Sequence, residues 1–426
     1  MAMLPLRLPT IQNWSCHNCS GCCRQHLIEI TEEERQRILK QDWKPKDGIP
    51  ESQPVIEPSG GPPWNRRYRL AHTVDGSCVF LNEDGLCRIH AKFGEPAKPL
   101  ACRIYPYAFH PAGKKVTVSL RFSCPSVVSN LGKSAIENRD EIKSIGRLVV
   151  PDGADQIPPP AVTPGQKVDW EDILRFAEAF DEILAETDEP LIERLYRMLY
   201  VLSVIDESRF RLIRGEQLSE FLSIISEAAD DEEFPEELQP ASGIGHVQFR
   251  LLVAQYARKD TVADLGGGLG AKWALLKAAL RFTTGHGEAT ALQECFKQVP
   301  FSEIEKPFGP VPKEAEEIFT RYLRVKIQGL HFCGRAYYDV HFVEGLQSLL
   351  LIVPSMLWLA RWLAASDSRK SLKVDDIKKA MTIADHHHGY SPALGTRSFR
   401  RRVRMLAQTG DLQHLILWYL SDQRAS

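Results

Sequence analysis

Four cysteines fall within eight residues near the start of the chain, Cys16-His17-Asn18-Cys19-Ser20-Gly21-Cys22-Cys23. That density is foreign to ordinary core packing. Two intervening residues let a loop turn successive sulfurs toward one point. The bacterial ferredoxin run uses that spacing, and its last cysteine is followed by proline. Cys124-Pro125 supplies such a pair further along. The N-terminal third therefore reads as a metal-cluster module.

The remaining cysteines sharpen this reading. Of ten, eight lie at or before position 124: Cys16, Cys19, Cys22, Cys23, Cys78, Cys87, Cys102 and Cys124. Cys295 and Cys333 stand alone and read as buried free thiols. Eight clustered cysteines could form a disulfide framework in a secreted chain. The first residues, however, hold neither an apolar h-region nor a small-residue cleavage site, so a reducing cytosol is expected, where such spacing favours metal. Soft thiolates suit zinc or an iron–sulfur cluster. Eight sulfurs could fill two four-sulfur sites, or one site with spare redox-active thiols. The side chains of adjacent Cys22 and Cys23 are expected to diverge, so that only one joins a centre with Cys16 and Cys19. A zinc site that serves folding alone is the plainer alternative. His17, His26, His90 and His110 lie near the cysteines in sequence but read as satisfied polar residues.

Composition places this module in an ordinary globular chain. Its 426 residues allow two or three domains, with 43% hydrophobic and 25% charged residues and a formal net charge of −2. That balance gives no case for nucleic acid or an acidic membrane surface as partner. The longest apolar run, Leu349 to Ala360, is too short to span a bilayer and reads as a buried core helix. Thr31 and Glu34 form a capping-box signature. Cys78-Val-Phe-Leu and Leu86-Cys-Arg-Ile flank a turn at Gly85, a hairpin signal. Val116 to Phe122 alternates as a strand leading to Cys124. The second group of cysteines is thus expected on strands and tight turns. Residues 151–167 are Pro- and Gly-rich and read as a linker or surface strap. Beyond them the periodicity is helical: Asp169 caps a helix from Trp170, Pro190 opens another, and further helices are expected near 216–229, 246–259, 271–282, 313–328, 341–365, 373–386 and 397–420. The expected fold class is α+β: a small irregular cysteine-rich module (1–150), a Pro-rich linker (151–167) and a helical domain (168–426).

The ordered set Cys-x2-Cys-x2-Cys-Cys, Cys78-Val-Phe-Leu, Cys87-Arg-Ile, Cys102-Arg-Ile-Tyr-Pro106 and Cys124-Pro125 resembles the YkgJ-type cysteine-cluster family. The resemblance covers roughly residues 12–130. It implies a zinc or iron–sulfur centre on the matching cysteines. The longer members include flagellin lysine N-methylases, so it also implies methyl transfer from S-adenosylmethionine to a lysine on a protein partner such as flagellin.

Three other motifs lie outside that span. Val262-Ala-Asp264-Leu-Gly266-Gly267-Gly268-Leu-Gly270 resembles the first glycine-rich loop of Rossmann-type methyltransferases. Asp264, Gly266, Gly268 and Gly270 are its candidate cofactor-binding residues, against a plain glycine-rich turn between helices. Asp385-His386-His387-His388-Gly389 reads as a polar helix C-terminus, since three successive imidazoles splay and cannot share one ion. Arg397, Arg400, Arg401, Arg402 and Arg404 read as a solvated helix face. There is no Gly-x-Ser-x-Gly elbow, Walker loop or His-Glu-x-x-His pair, so simple hydrolase and nucleotide-triphosphatase chemistry loses its usual support.

Overall fold

A small apolar core and a much larger one divide the buried side chains. A computed structural model describes residues 3–62, 64–258, 269–306 and 308–421. The small core gathers Ile30, Ile38, Ile49, Leu70, Val79, Phe80 and Ile89, with Cys23, Cys87 and Cys102 packed against it. The large core runs from Tyr107 to Tyr419 and takes in residues on both sides of the Pro-rich stretch. Within that stretch Val162 is fully buried, and the carbonyls of Ala161 and Val162 accept from the amides of Phe342 and Val343.

The small core rests on a three-stranded antiparallel sheet, Glu29–Ile30, Arg67–Leu70 and Ile56–Gly60, in the order first, second, third. The strand Ile56–Gly60 lies in a segment whose composition signals loop. The helix Glu32–Lys40 begins at the predicted capping box: Thr31 Oγ1 accepts from the Glu34 amide at 3.2 Å, and Glu34 Oε2 accepts from the Thr31 amide at 2.9 Å.

A hairpin joins this module to the helical body. Tyr107–Ala112 pairs antiparallel with Lys115–Leu120, which pairs parallel with Leu6–Arg7. The strand Lys115–Leu120 lies on the end of the helix Lys313–Gln328: Thr117 Oγ1 donates to the Gly329 carbonyl at 2.9 Å. A Cβ at Gly329 would meet Ser119 Cβ at 2.4 Å, so the approach requires glycine there.

The helical body is built around Phe342–Ser366, 25 residues buried almost all round. By length and composition it could cross a membrane, but as much as 94% of its most apolar window is buried inside the fold. Helices Val374–His387, Arg397–Gln408 and Asp411–Leu420 pack on it. The sequence pattern joins the last two into one helix; Gly410, at φ +77°, divides them. The arginine cluster is partly drawn into this packing rather than left as a solvated face. Arg400 makes two hydrogen bonds to Glu344, at 2.5 and 2.9 Å, and Arg402 donates to Gln248.

Candidate metal-binding cavity

The first cysteine segment follows the strand Asn13–Trp14. Asn18 and Ser20 both take left-handed backbone conformations, which curl residues 15–20 before the helix Gly21–Gln25. That helix carries Cys22 and Cys23. Their sulfurs stand 3.9 Å apart. The adjacent thiols therefore do not diverge: although successive helical positions point about 100° apart, their sulfurs come within contact of one another. The separation is close to the edge of a tetrahedral zinc–thiolate site, about 3.8 Å for zinc–sulfur bonds of about 2.3 Å.

The second segment is tied directly to the first. The Cys78 amide donates to the Cys23 carbonyl at 2.8 Å. The turn at Gly85 sits under the curled loop, where a Cβ would meet the Asn18 carbonyl oxygen at 2.4 Å. Around that turn only an isolated bridge, Leu81 with Cys87, forms among the described residues instead of the expected paired strands, and a second bridge, His72 with Cys78, closes the preceding turn at Gly76. The later cysteines occupy short helices and their starts. Cys87 precedes the helix Arg88–Phe93, Cys102 lies within Leu100–Ile104, and Cys124 precedes Pro125–Val128. An apolar module this small turns sharply at each cysteine, and one-turn helices make those corners. Glu34 holds one of them, since its Oε1 accepts from the Leu100 amide at 2.6 Å.

All eight cysteines line one cavity of about 1360 Å³. All are free thiols. Burial pushes Cys78 and Cys102 up to about 12, and Cys22 and Cys87 bear on both. A hydrogen bond with Cys23, then burial, holds Cys22 far above the ordinary thiol range. Burial also raises Cys124, with a contribution from Cys19. Cys22 and Cys23 form one close pair, and a Cβ at Gly21 would lie 3.6 Å from Cys19 Sγ and 3.4 Å from the Pro125 ring, which brings the first segment up to Cys124-Pro125. Among the described residues no three Cys, His, Asp or Glu side chains already close on a single point. The donor chemistry fits zinc or iron, with thiolate produced when the ion displaces the proton.

A further wall comes from the helical body and from the end of the hairpin. His386, His387, Tyr390 and Arg121 line it, and His26 reaches it from the module. The His26 ring lies 5.0 Å from His386 and 4.8 Å from Tyr105, centroid to centroid. Burial, then the charge of Arg121, lowers His26 well below the usual imidazole range. His90 and His110 also line the cavity, whereas His17 points its Nδ1 at the Ser15 carbonyl, 2.7 Å away, in solvent.

Behind this wall lies a polar knot that sequence reasoning missed. Lys326 Nζ and Asp385 Oδ1 stand 2.7 Å apart with both side chains fully buried. Asp385 Oδ2 also accepts from the Ser123 amide at 2.9 Å, and Lys326 Nζ lies 3.2 Å from His331 Nδ1. Burial pulls Lys326 below the lysine range against the opposing effect of Asp385. The helix Val374–His387 does end at the histidine tract, with Gly389 left-handed at φ +83°. Its histidines, though, are structural and largely buried, not solvated. His387 Nε2 lies 2.7 Å from the Arg258 carbonyl and His388 Nδ1 lies 3.0 Å from Tyr256 Oη. A signal was present: Lys326 continues the stripe of Ala315, Phe319 and Tyr322, where a charge is out of place. Of the glycine-rich loop, Asp264, Gly266 and Gly268 lie outside the described residues, and Gly270 falls in the first turn of the helix Leu269–Thr284. Cys333 is buried and Cys295 half-buried, both away from the cavity.

The curled loop, the sulfurs on short helices and the shared cavity define a cysteine-cluster protein. The family profile written CxxCxxCC, described as a "putative zinc- or iron-chelating domain", matches residues 15–125, and the chain belongs to this family. Among named relatives it is similar to flagellar biosynthetic protein FliU of Salmonella muenchen, 38% identical over 28% of this chain and 72% of FliU. It is also similar to the lysine-N-methylases of Salmonella typhimurium and Salmonella choleraesuis, each 38% identical over 27% of this chain but only 29% of theirs. No solved structure matches the chain.

Proposed function

We propose that the eight N-terminal cysteines hold an iron–sulfur or zinc centre, and that the cavity beside it transfers a methyl group from S-adenosylmethionine to a lysine of a protein substrate. One observation carries this reading: eight thiols share the lining of a single cavity of about 1360 Å³ with histidine, tyrosine and arginine side chains. Pockets for a single small molecule run about 300–1,000 Å³. The cavity therefore has room for a centre and a further occupant. The names of the lysine-N-methylases support the choice of reaction.

In that reaction the lysine nitrogen attacks the sulfonium methyl carbon. The carbon–sulfur bond breaks with its electron pair on sulfur, S-adenosylhomocysteine leaves, and the methylated ammonium gives a proton to water. The attacking amine must be neutral, and a desolvated cavity lowers a lysine pKa. The metal centre, when bound, fixes the thiol wall and so the shape of the site. The proposed partner is a protein presenting an accessible lysine, as flagellin would, in a reducing compartment that keeps the thiols free.

The test begins with protein purified without oxygen. Iron with acid-labile sulfide, and broad absorption near about 400 nm, are expected. Calorimetry should then detect S-adenosylmethionine binding to the metallated protein. Absence of both iron and zinc sinks the centre, and absence of binding sinks the methyl transfer. A second reading is favoured by the packing of Cys23, Cys87 and Cys102 on the small core: a zinc staple in a non-enzymatic binding protein. Colourless zinc protein that binds no cofactor would support it.

A further inference from the structure

We propose that Arg121 anchors a carboxylate of the molecule that occupies the cavity beside the cysteines. Arg121 follows the strand Lys115–Leu120, and its amide donates to the Pro106 carbonyl at 2.8 Å, which sets its guanidinium on the cavity wall. The guanidinium lies 3.5 Å from the Tyr390 ring centroid and 5.6 Å from that of Tyr105. Its sole polar contact among the described residues is a long bond from Nη2 to the His386 carbonyl, 3.4 Å. Its Nε is buried without a partner. A guanidinium carries five N–H donors in a fork that matches a carboxylate. Most of that fork is unused.

The neighbouring charges explain why. Asp385, the nearest buried carboxylate in the knot, is engaged by Lys326 and the Ser123 amide. Glu29 is the carboxylate that lines the cavity, and it pairs with Arg67. Arg69 pairs with Glu57. Lys98, the other lining cation, bears on Cys22 and Cys102 and so belongs to the thiol wall. Arg121 is left as the cation of the aromatic wall. A half-buried guanidinium held flat by a tyrosine and short of acceptors is preorganised for an anion. The inference rests on the methyl-donor reading for the identity of that anion, the α-carboxylate of S-adenosylmethionine, but the anchor itself does not need it.

The experiment is calorimetry on the metallated full chain, wild type, Arg121→Gln and Arg121→Lys. Two ligands are compared: S-adenosylhomocysteine, which bears the carboxylate, and 5′-methylthioadenosine, which lacks it. Arg121→Gln should weaken the first about tenfold or more, as loss of a charge-assisted hydrogen-bonded pair does, and leave the second unchanged. Arg121→Lys should recover part of the loss. Equal binding of S-adenosylhomocysteine to wild type and Arg121→Gln overturns the anchor and leaves the methyl donor standing. Equal weakening of both ligands also overturns it, since Arg121 would then only shape the wall. If wild type binds neither, the methyl-donor reading fails. Ligand-observed NMR with acetate and with inorganic phosphate then decides the anchor. Arg121-dependent acetate binding sustains it. Binding of phosphate alone, or of neither, overturns it.

Discussion

At the scale of single residues, the most deeply buried ion pair sits behind the cavity. Lys326 and Asp385 are both fully buried and 2.7 Å apart. Removing one partner leaves an unpaired charge in the interior. Asp385→Asn or Lys326→Met should each cost about 3–5 kcal/mol in urea denaturation, and the double replacement should cost less than their sum. The same interior refuses protons. Burial, then Lys326, holds His110 at about 3, and burial likewise lowers His331 and His388. An unfolded imidazole titrates near about 6.5. Between those values the unfolded chain binds a proton that the fold rejects, so stability rises with pH there. It is complete above about 6.5 and declines as pH falls, by up to about 1.4 kcal/mol per pH unit for each such histidine. Urea midpoints at pH 7.5, 6.5 and 5.5 should show that slope, and His110→Gln should flatten it. The thiols were legible from spacing alone. Arg121 and Asp385 were not, because a single charge in an alternating strand or at a helix end carries no mark of burial until a distant helix covers it.

At the scale of elements, Glu34 links two pieces of the module. It completes the capping box with Thr31 and also holds the start of the helix that carries Cys102. Thr31→Ala should cost about 1 kcal/mol. Glu34→Ala should cost more and should also lower the metal content of protein purified without oxygen, which Thr31→Ala should leave nearly unchanged. Gly329→Ala tests the junction of hairpin and helix. Its Cβ would press on Ser119, and a loss of about 1–3 kcal/mol is expected, partly relieved by adding Ser119→Gly. Long helices were readable because their periodicity repeats: the sequence pattern over 313–328 coincides with the observed Lys313–Gln328. The corners at Cys87 and Cys102 were not, since a five- or six-residue helix holds too little periodicity to tell from a strand.

At the scale of the whole molecule, the cavity lies on the seam between a small core and a large one. A small core buries little apolar surface, and a bound ion adds folding energy that grows with the logarithm of its affinity. Stripping the metal with a chelator should therefore lower the melting temperature of the module first. Limited proteolysis of the stripped protein should cut between residues 15 and 104 while the fragment holding Phe342–Ser366 survives. The division into a cysteine-rich part and a helical part was visible in the uneven placement of cysteine and in the change of period. The seam itself was not, because the Cys segments meet residues 386–392 around one cavity, as His26 meets His386, and no local pattern announces that.

The helix Phe342–Ser366 carries a consequence for how the chain is made. Its apolar surface is covered by Val374–His387, Arg397–Gln408 and Asp411–Leu420, all of which leave the ribosome after it. During synthesis the face of this 25-residue greasy segment that the earlier helices do not cover must wait for its own lid. Chaperones, or a pause that delays its emergence, would guard that interval, and chains truncated before residue 411 should aggregate on expression where the full chain stays dispersed.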